Sequence, residues 1–475
     1  MCPSCLLDVP LGWPTMPTAL SVRLSRGTSL SELNQPQDTA TDTESLHQVL
    51  PPARTTTLAF QHLLAAYASL VVTPLIVAGA LGWGADQMTY LISACLLASG
   101  VCTLIQCVGL GQSIGIRYPV VQGTTIAVVP VLIAIGTTSS LPAMFGATIV
   151  AGIMAFFLAG PWSRMLRFFP PIVVGTVITA IGLSLFPVAV MWMSGGGGFG
   201  AQSVATIDML LGFFSLLVVI GVMRFGRGLI ARSAILVGLL SGTLLALMLG
   251  QVDATPVTEA PWFGVVVPFA FGTPEFEWPA IIAMCLVMLV TMVESTGDYF
   301  AIGAVCGQQV EKQDIARGLR AEGLGTVIGG LLNSFPFTTF SQNTGVLRIS
   351  GVRSRWVVAA TGGLMIVISF FPKLAAIFAM IPTAVLGGCG LVMFGSIAGT
   401  GIAMLRDVDL SDNGNLITVC VSLGMAMLVI ANPTYFAALP EDLGLVLANA
   451  ITLAGISAVV LNLLFSHTHR QSDEH

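Results

Sequence analysis

Stretches of about 20 mostly apolar residues, each long enough to cross a ~30 Å hydrocarbon layer as a helix, recur along this chain between residues 57 and 465. No other feature constrains the fold as strongly. Runs such as Leu210–Ile220 and Leu443–Leu464 are nearly continuous in apolar residues. Strands of a membrane barrel would instead alternate apolar and polar side chains. Helices satisfy their own backbone in lipid, so the reading is an all-α polytopic membrane protein. Composition agrees. Of 475 residues, 55% are hydrophobic and 9% charged, and the mean hydropathy is +0.91. That is too little charge to coat a soluble surface. A soluble enzyme, a disordered chain and a nucleic-acid binder are excluded.

The apolar segments are 57–80, 87–109, 119–136, 141–160, 169–190, 206–223, 230–249, 279–305, 315–333, 337–350, 356–371, 374–397, 414–431 and 442–465, which makes 14. Basic residues concentrate on the cytoplasmic side of membrane proteins. With the N-terminus inside, 17 of the 18 Lys and Arg fall on that side, and only Lys373 does not. The 251–278 loop carries Asp253, Glu259, Glu275 and Glu277 without a base, as an external loop should. Both termini are therefore expected in the cytoplasm and the protein in the cell membrane. Residues 1–54 read as a flexible cytoplasmic arm, and residues 467–475 as a tail.

Fourteen spans divide into seven plus seven, and an odd number per half inverts the second half relative to the first. This is the repeat logic of secondary transporters. The third segment of each half is interrupted. One reads Pro119-Val-Val-Gln-Gly-Thr-Thr and the other Pro336-Phe-Thr-Thr-Phe-Ser-Gln-Asn-Thr-Gly. Each is expected to hold a short extended stretch. Corresponding breaks in two halves point to a binding site near the membrane midplane.

Few ionisable residues lie at membrane depth, where a charge is costly and functional by default. Glu294 is near the middle of segment 8, and Asp298 lies one helical turn on, on the same face. Two close carboxylates do not both ionise freely, which suits a proton-coupled carrier. Glu322 lies in segment 9 near Arg317 and Arg320, and an ion pair there is an alternative to a coupling role. His62 follows Gln61 in segment 1 and is read as a packing or supporting group. Gln342 and Asn343 offer amide donors and acceptors that complement the edge of a planar heterocycle. Asp208, Glu441 and Asp442 sit at helix starts and are read as structural. The nine cysteines show no metal or disulfide pattern, and most read as small packing residues.

These motifs resemble the nucleobase–ascorbate transporter family, also called nucleobase:cation symporter type 2. Its signature is matched by Gln342-Asn343-Thr344-Gly345 with Ser350-Gly351 following, Ser standing where the family has Thr. Gln61-His62, Glu294-Ser-Thr-Gly-Asp298 and Gly318-Leu-Arg-Ala-Glu-Gly-Leu-Gly325 extend the likeness over about residues 55–465. The resemblance implies a core domain (55–160 and 279–372) moving against a gate domain (161–250 and 373–466), in a homodimer. It implies base binding by Glu294, Gln342 and Asn343, with Ser341 beside them and backbone contacts around Val121, Gln122 and Gly123. Proton coupling falls to Glu294, Asp298 and Glu322, where Glu322 replaces a usual Asp. No cofactor or metal is implied. Gln342 in the first signature position favours xanthine or uric acid over uracil. An inorganic anion exchanger on the same fold and a membrane enzyme are the weaker alternatives, since carboxylates repel anions and no nucleophile, metal cluster or cofactor motif is visible.

Overall fold

The computed structural model describes residues 46–165, 170–195, 204–227, 229–253, 255–340, 343–344, 346–347, 352–406, 408–432, 434–436, 438–439, 447 and 449–472. Most of the expected arm, along with Ser341, Gln342, Glu441, Asp442, Cys2 and Cys5, lies outside the described residues.

The first half contains α1 (Pro52–Ala80), α2 (Ala85–Val108), β1 (Gln122–Thr124), α3 (Val129–Thr138), α4 (Leu141–Leu158), α5 (Pro171–Met193), α6 (Thr206–Phe225) and α7 (Ala234–Met248). The second half contains α8 (Trp278–Cys306), α9 (Lys312–Leu331), β2 (Phe337–Thr339), α10 (Arg355–Ser369), α11 (Pro372–Ala379), α12 (Thr383–Leu405), α13 (Asn413–Ala431) and α14 (Ala450–Ser472). Among the described residues, α2, α4, α5, α6, α8, α12 and α13 are each long and apolar enough to cross a membrane. The bent pair α10–α11 adds an eighth candidate. The remaining apolar helices are shorter, including Leu70–Ala80 within α1 and Ala450–Phe465 within α14. The perimeter carries large exposed apolar side chains, among them Phe213, Leu217, Ile456 and Val460. The protein is a mostly helical, multi-pass membrane protein.

Two boundaries differ from the sequence reading. The segment expected at 374–397 is cut. α11 turns 83° away from α10 and ends at Ala379, and α12 starts at Thr383 after the N-cap Pro382. Proline lacks a backbone donor and starts helices more readily than it continues them. At the chain's start, α1 begins at Pro52, inside the region read as the arm.

Small residues set the helix packing, as expected where no hydrophobic drive separates protein from lipid. A Cβ on Gly100 of α2 would lie 2.6 Å from the Gly362 carbonyl of α10, and one on Gly362 would lie 2.8 Å from the Gly100 carbonyl. Gly152 of α4 and Gly323 of α9 face each other in the same reciprocal way, at 2.8 and 2.7 Å. So do Gly175 of α5 and Gly401 of α12, at 2.9 and 2.6 Å.

Three arginines gather around the loop that follows α2. Arg320 donates to the Ser113 carbonyl (3.3 Å), Arg117 to the Gly111 carbonyl (2.6 Å) and Arg355 to the Cys107 carbonyl (3.1 Å). His47 lies beside this group. Burial, then the nearby Arg355 and Arg117 charges, hold its imidazole below the ordinary histidine value. Lys373 lies past the opposite end of α10, with its ammonium 4.5 Å from the Trp262 ring centroid.

Candidate functional site

The two interrupted segments meet. β1 and β2 pair antiparallel, with Gln122 opposite Thr339, Gly123 opposite Thr338 and Thr124 opposite Phe337. Phe340 N–H donates to the Val121 carbonyl and Thr125 N–H to the Pro336 carbonyl, both at 3.0 Å. Extended backbone survives at membrane depth only where protein satisfies it, and hydroxyls from the surrounding helices complete that task. Thr103 of α2 accepts from Gln122 N–H at 3.0 Å. Thr326 of α9 accepts from Phe337 N–H at 3.1 Å, and Ser295 of α8 from Thr339 N–H at 3.3 Å. The Ser295 and Thr338 hydroxyls are bonded at 3.0 Å.

Glu294 stands one residue before Ser295 on α8, so the anchoring of β2 to α8 also sets the carboxyl beside the paired strands. A cavity of about 230 Å³ lies there. One wall holds Glu294, Thr124, Thr125, Thr338, Thr339 and Phe340. Opposite lie Ile178 and Ile181 of α5, Ile235 of α7, and Met393, Ser396, Ile397 and Thr400 of α12. Glu294 is the one titratable side chain among these lining residues. The arrangement presents one carboxyl, several hydroxyls and an aromatic ring to a small cavity, which suits a flat polar molecule with apolar faces.

The other sequence-predicted residues divide around this cavity. Val121 and Gln122 are fully buried behind it. The Gln122 amide donates to the Thr339 hydroxyl at 3.0 Å. Gly123 lies under the Phe340 ring, where a Cβ would come within 2.1 Å of ring carbon. Asn343 is buried and joins three elements: its amide donates to the Pro119 carbonyl at 2.8 Å, and its Oδ1 meets His62 Nδ1 at 2.5 Å. Because the Asn343 oxygen faces the ring, His62 carries its proton on Nδ1. Gln61 is half-buried on α1, and Asp298 half-buried on α8. Neither lines the cavity. Glu322 is fully buried on α9, accepts from the Tyr299 hydroxyl at 3.3 Å and lies within electrostatic reach of Glu294 and Asp298.

Sequence reasoning missed Phe340, Thr124 and the α12 hydroxyls as lining groups. It also missed Tyr299 and Gln106, whose 3.0 Å bond continues the Glu322 network to α2. Phe340 and Thr124 sat inside the quoted broken motifs and were open to detection. Tyr299 and Gln106 read as ordinary interior residues of apolar segments.

Comparison with known proteins places the chain. The Permease family model Xan_ur_permease matches residues 53–435. The chain belongs to the nucleobase–ascorbate transporter family. Its similarity to other members runs almost end to end. It is 41% identical to the nucleobase transporter PlUacP of Paenibacillus larvae, over 88% of this chain and 96% of the relative. It is 39% identical to the uric acid transporter UacT of Escherichia coli, over 91% and 90% of the two chains. It is also 39% identical to the xanthine permease of Bacillus subtilis, over 87% and 94%. Members of this family are permeases, not enzymes. Among solved structures, the transmembrane domain of the cyanobacterial bicarbonate transporter BicA matches with a TM-score of 0.56 and 15% identity, covering 86% of this chain and 98% of that one. Murine Slc26a9, an anion transporter in its inward-facing state, matches with a TM-score of 0.61 and 12% identity, covering 94% and 74%. At such identities these likenesses speak to the fold alone.

Proposed function

We propose that this permease imports xanthine or uric acid together with protons, by alternating access. The observation that carries the reading is the Glu294 carboxyl in a cavity framed by the two paired breaks. A carboxylate accepts from ring N–H groups, and the hydroxyls and Gln342 complement carbonyl edges. Ser341, Gln342 and Asn343 follow the Phe340 wall directly in sequence, and Asn343 is held by His62. The broken stretch at Val121, Gln122 and Gly123 forms the backing of the pocket. Proton uptake is assigned to Glu294 with Asp298 and Glu322, which are electrostatically coupled. The names of the relatives, uric acid, xanthine and nucleobase carriers, favour an oxidised purine over uracil. An anion exchanger is disfavoured despite the fold neighbours, because the cavity's titratable group is acidic.

The reciprocal glycine contacts support fourteen spans as a seven-plus-seven inverted repeat. Segment 2 against 11 and segment 9 against 4 are the same pairing under a shift of seven, and segment 5 against 12 maps onto itself. Core and gate domains then meet across the cavity, with α5, α7 and α12 on the gate side. The gate lining lies toward Arg406 and Arg232, on the basic, cytoplasmic side, so the cavity faces inward. Cytoplasmic termini, residence in the cell membrane and a homodimer complete the reading.

Uptake of labelled xanthine, competed by uric acid and uracil with and without a protonophore, tests it. Xanthine and uric acid should compete and uracil should not, and collapse of the proton gradient should abolish accumulation. Glu294→Gln removes the titratable group at almost constant volume and should abolish proton-driven accumulation. Full coupled uptake in that variant would refute the assignment.

A further inference from the structure

A second cavity, of about 270 Å³, lies between α5, α8 and α14, apart from the substrate cavity. Its floor is formed by Val177 and Ile451, which are buried, and its rim by Ile456 and Val460, which are 39% and 48% exposed. The crevice therefore opens sideways onto the apolar perimeter. Val290 of α8 lines it, and Glu294 lies one helical turn further along the same helix face. Among the described residues, the sole polar side chain on its walls is Thr452, whose hydroxyl is buried without a hydrogen-bond partner. Water needs two to four polar partners to settle in a cavity, and this one offers a single hydroxyl. The medium at the mouth is hydrocarbon, because the three helices belong to a membrane protein and the rim residues face its perimeter.

We propose that this crevice is a binding site for a lipid acyl chain, which enters from the bilayer past Ile456 and Val460 and packs against the helix that carries Glu294. The inference rests on the membrane placement of the chain and not on the identity of the transported base.

Gly455 supplies the test. A Cβ there would make ordinary contact with Val177, 3.8 Å away, so a larger side chain grows into the crevice without meeting backbone. The full chain is reconstituted in bilayers containing a phospholipid with a photoreactive group in its acyl chain, irradiated, and mapped by peptide mass spectrometry. Labelling should concentrate on Val177, Leu289, Val290 and Ile456, above that on the open face of α6. Gly455→Leu, which displaces several methylenes of the occupant, should lower crevice labelling about tenfold while α6 labelling stays constant. Val460→Trp, which closes the mouth, should act in the same direction. Elution of each variant as a single symmetric species on gel filtration shows that it folds, whatever the substrate proves to be. Crevice labelling no higher than that of α6, or unchanged in both variants, would overturn the proposal. So would absent labelling with disulfide cross-links between two copies through Ile456→Cys, which would give the crevice to a second copy.

Discussion

Asn343 ties segments 1, 3 and 10 together because its amide uses donor and acceptor in opposite directions, toward the Pro119 carbonyl and toward His62. Removing it strands a buried ring nitrogen and a buried carbonyl. Each such orphan costs about 1–3 kcal/mol. Asn343→Ala should therefore lower the melting temperature of the detergent-purified protein as well as uptake. His62→Gln, in a chain that keeps Asn343, retains an amide donor for its oxygen and should keep much of the wild-type stability. Equal melting temperatures for wild type and Asn343→Ala would refute the bonding role. Gly123 is fixed for a different reason. Its partner is the Phe340 ring, and an added methyl has no room. Overpacking of this kind costs about 1–3 kcal/mol. Gly123→Ala should destabilise the protein, and Phe340→Leu in the same chain should restore stability without restoring substrate affinity. Thermal unfolding and a binding titration on the double variant separate the two effects.

At the scale of elements, the informative groups are the hydroxyls that hold the strands. A threonine in a membrane helix commonly returns its hydroxyl to its own backbone, as Thr243 does to the Leu239 carbonyl at 2.7 Å. Thr103 instead accepts from Gln122 N–H of β1. Thr103→Val should cost about 1–3 kcal/mol by stranding that N–H, whereas Thr243→Val should be close to neutral. Melting curves of the two variants side by side check this, and equal losses would mean that the strand is held by other means. Nothing in the sequence distinguishes these threonines, because the pattern shows that a hydroxyl is present and not where it points. The breaks themselves were legible. Pro119 and Pro336 withdraw backbone donors inside apolar runs, and this marks both interrupted segments. The 374–397 segment was misplaced because Pro382 cuts an apolar run that composition alone reads as continuous.

Across the whole molecule, the proposed inward-facing cavity requires closure on the other side. Trp192, near the end of α5, supplies a candidate seal. It is buried, and a Cβ on Gly79 of α1 would lie 3.3 Å from its ring. Gly79→Leu should force this contact apart. In a Cys420→Ser background, since Cys420 is the exposed cysteine among the described residues, Ser396→Cys should then react faster with a membrane-impermeant thiol reagent added outside the cell, and net uptake should fall. Unchanged labelling would show that the closure does not depend on Trp192.

Hydrophobic runs, the placement of Lys and Arg, and the two proline-marked interruptions determined by themselves that this chain crosses a membrane repeatedly and where two of its apolar segments are broken. Those features act locally: the length of an apolar run and the loss of a donor at proline are decided within a few residues. Which polar groups face the cavity was decided only by tertiary structure. Glu294 reaches it while Gln122 turns behind it, because side-chain direction follows from the β1–β2 register and from the hydroxyls of α2, α8 and α9 that hold it. Such partners are hundreds of residues apart in sequence, and only the folded chain brings them together.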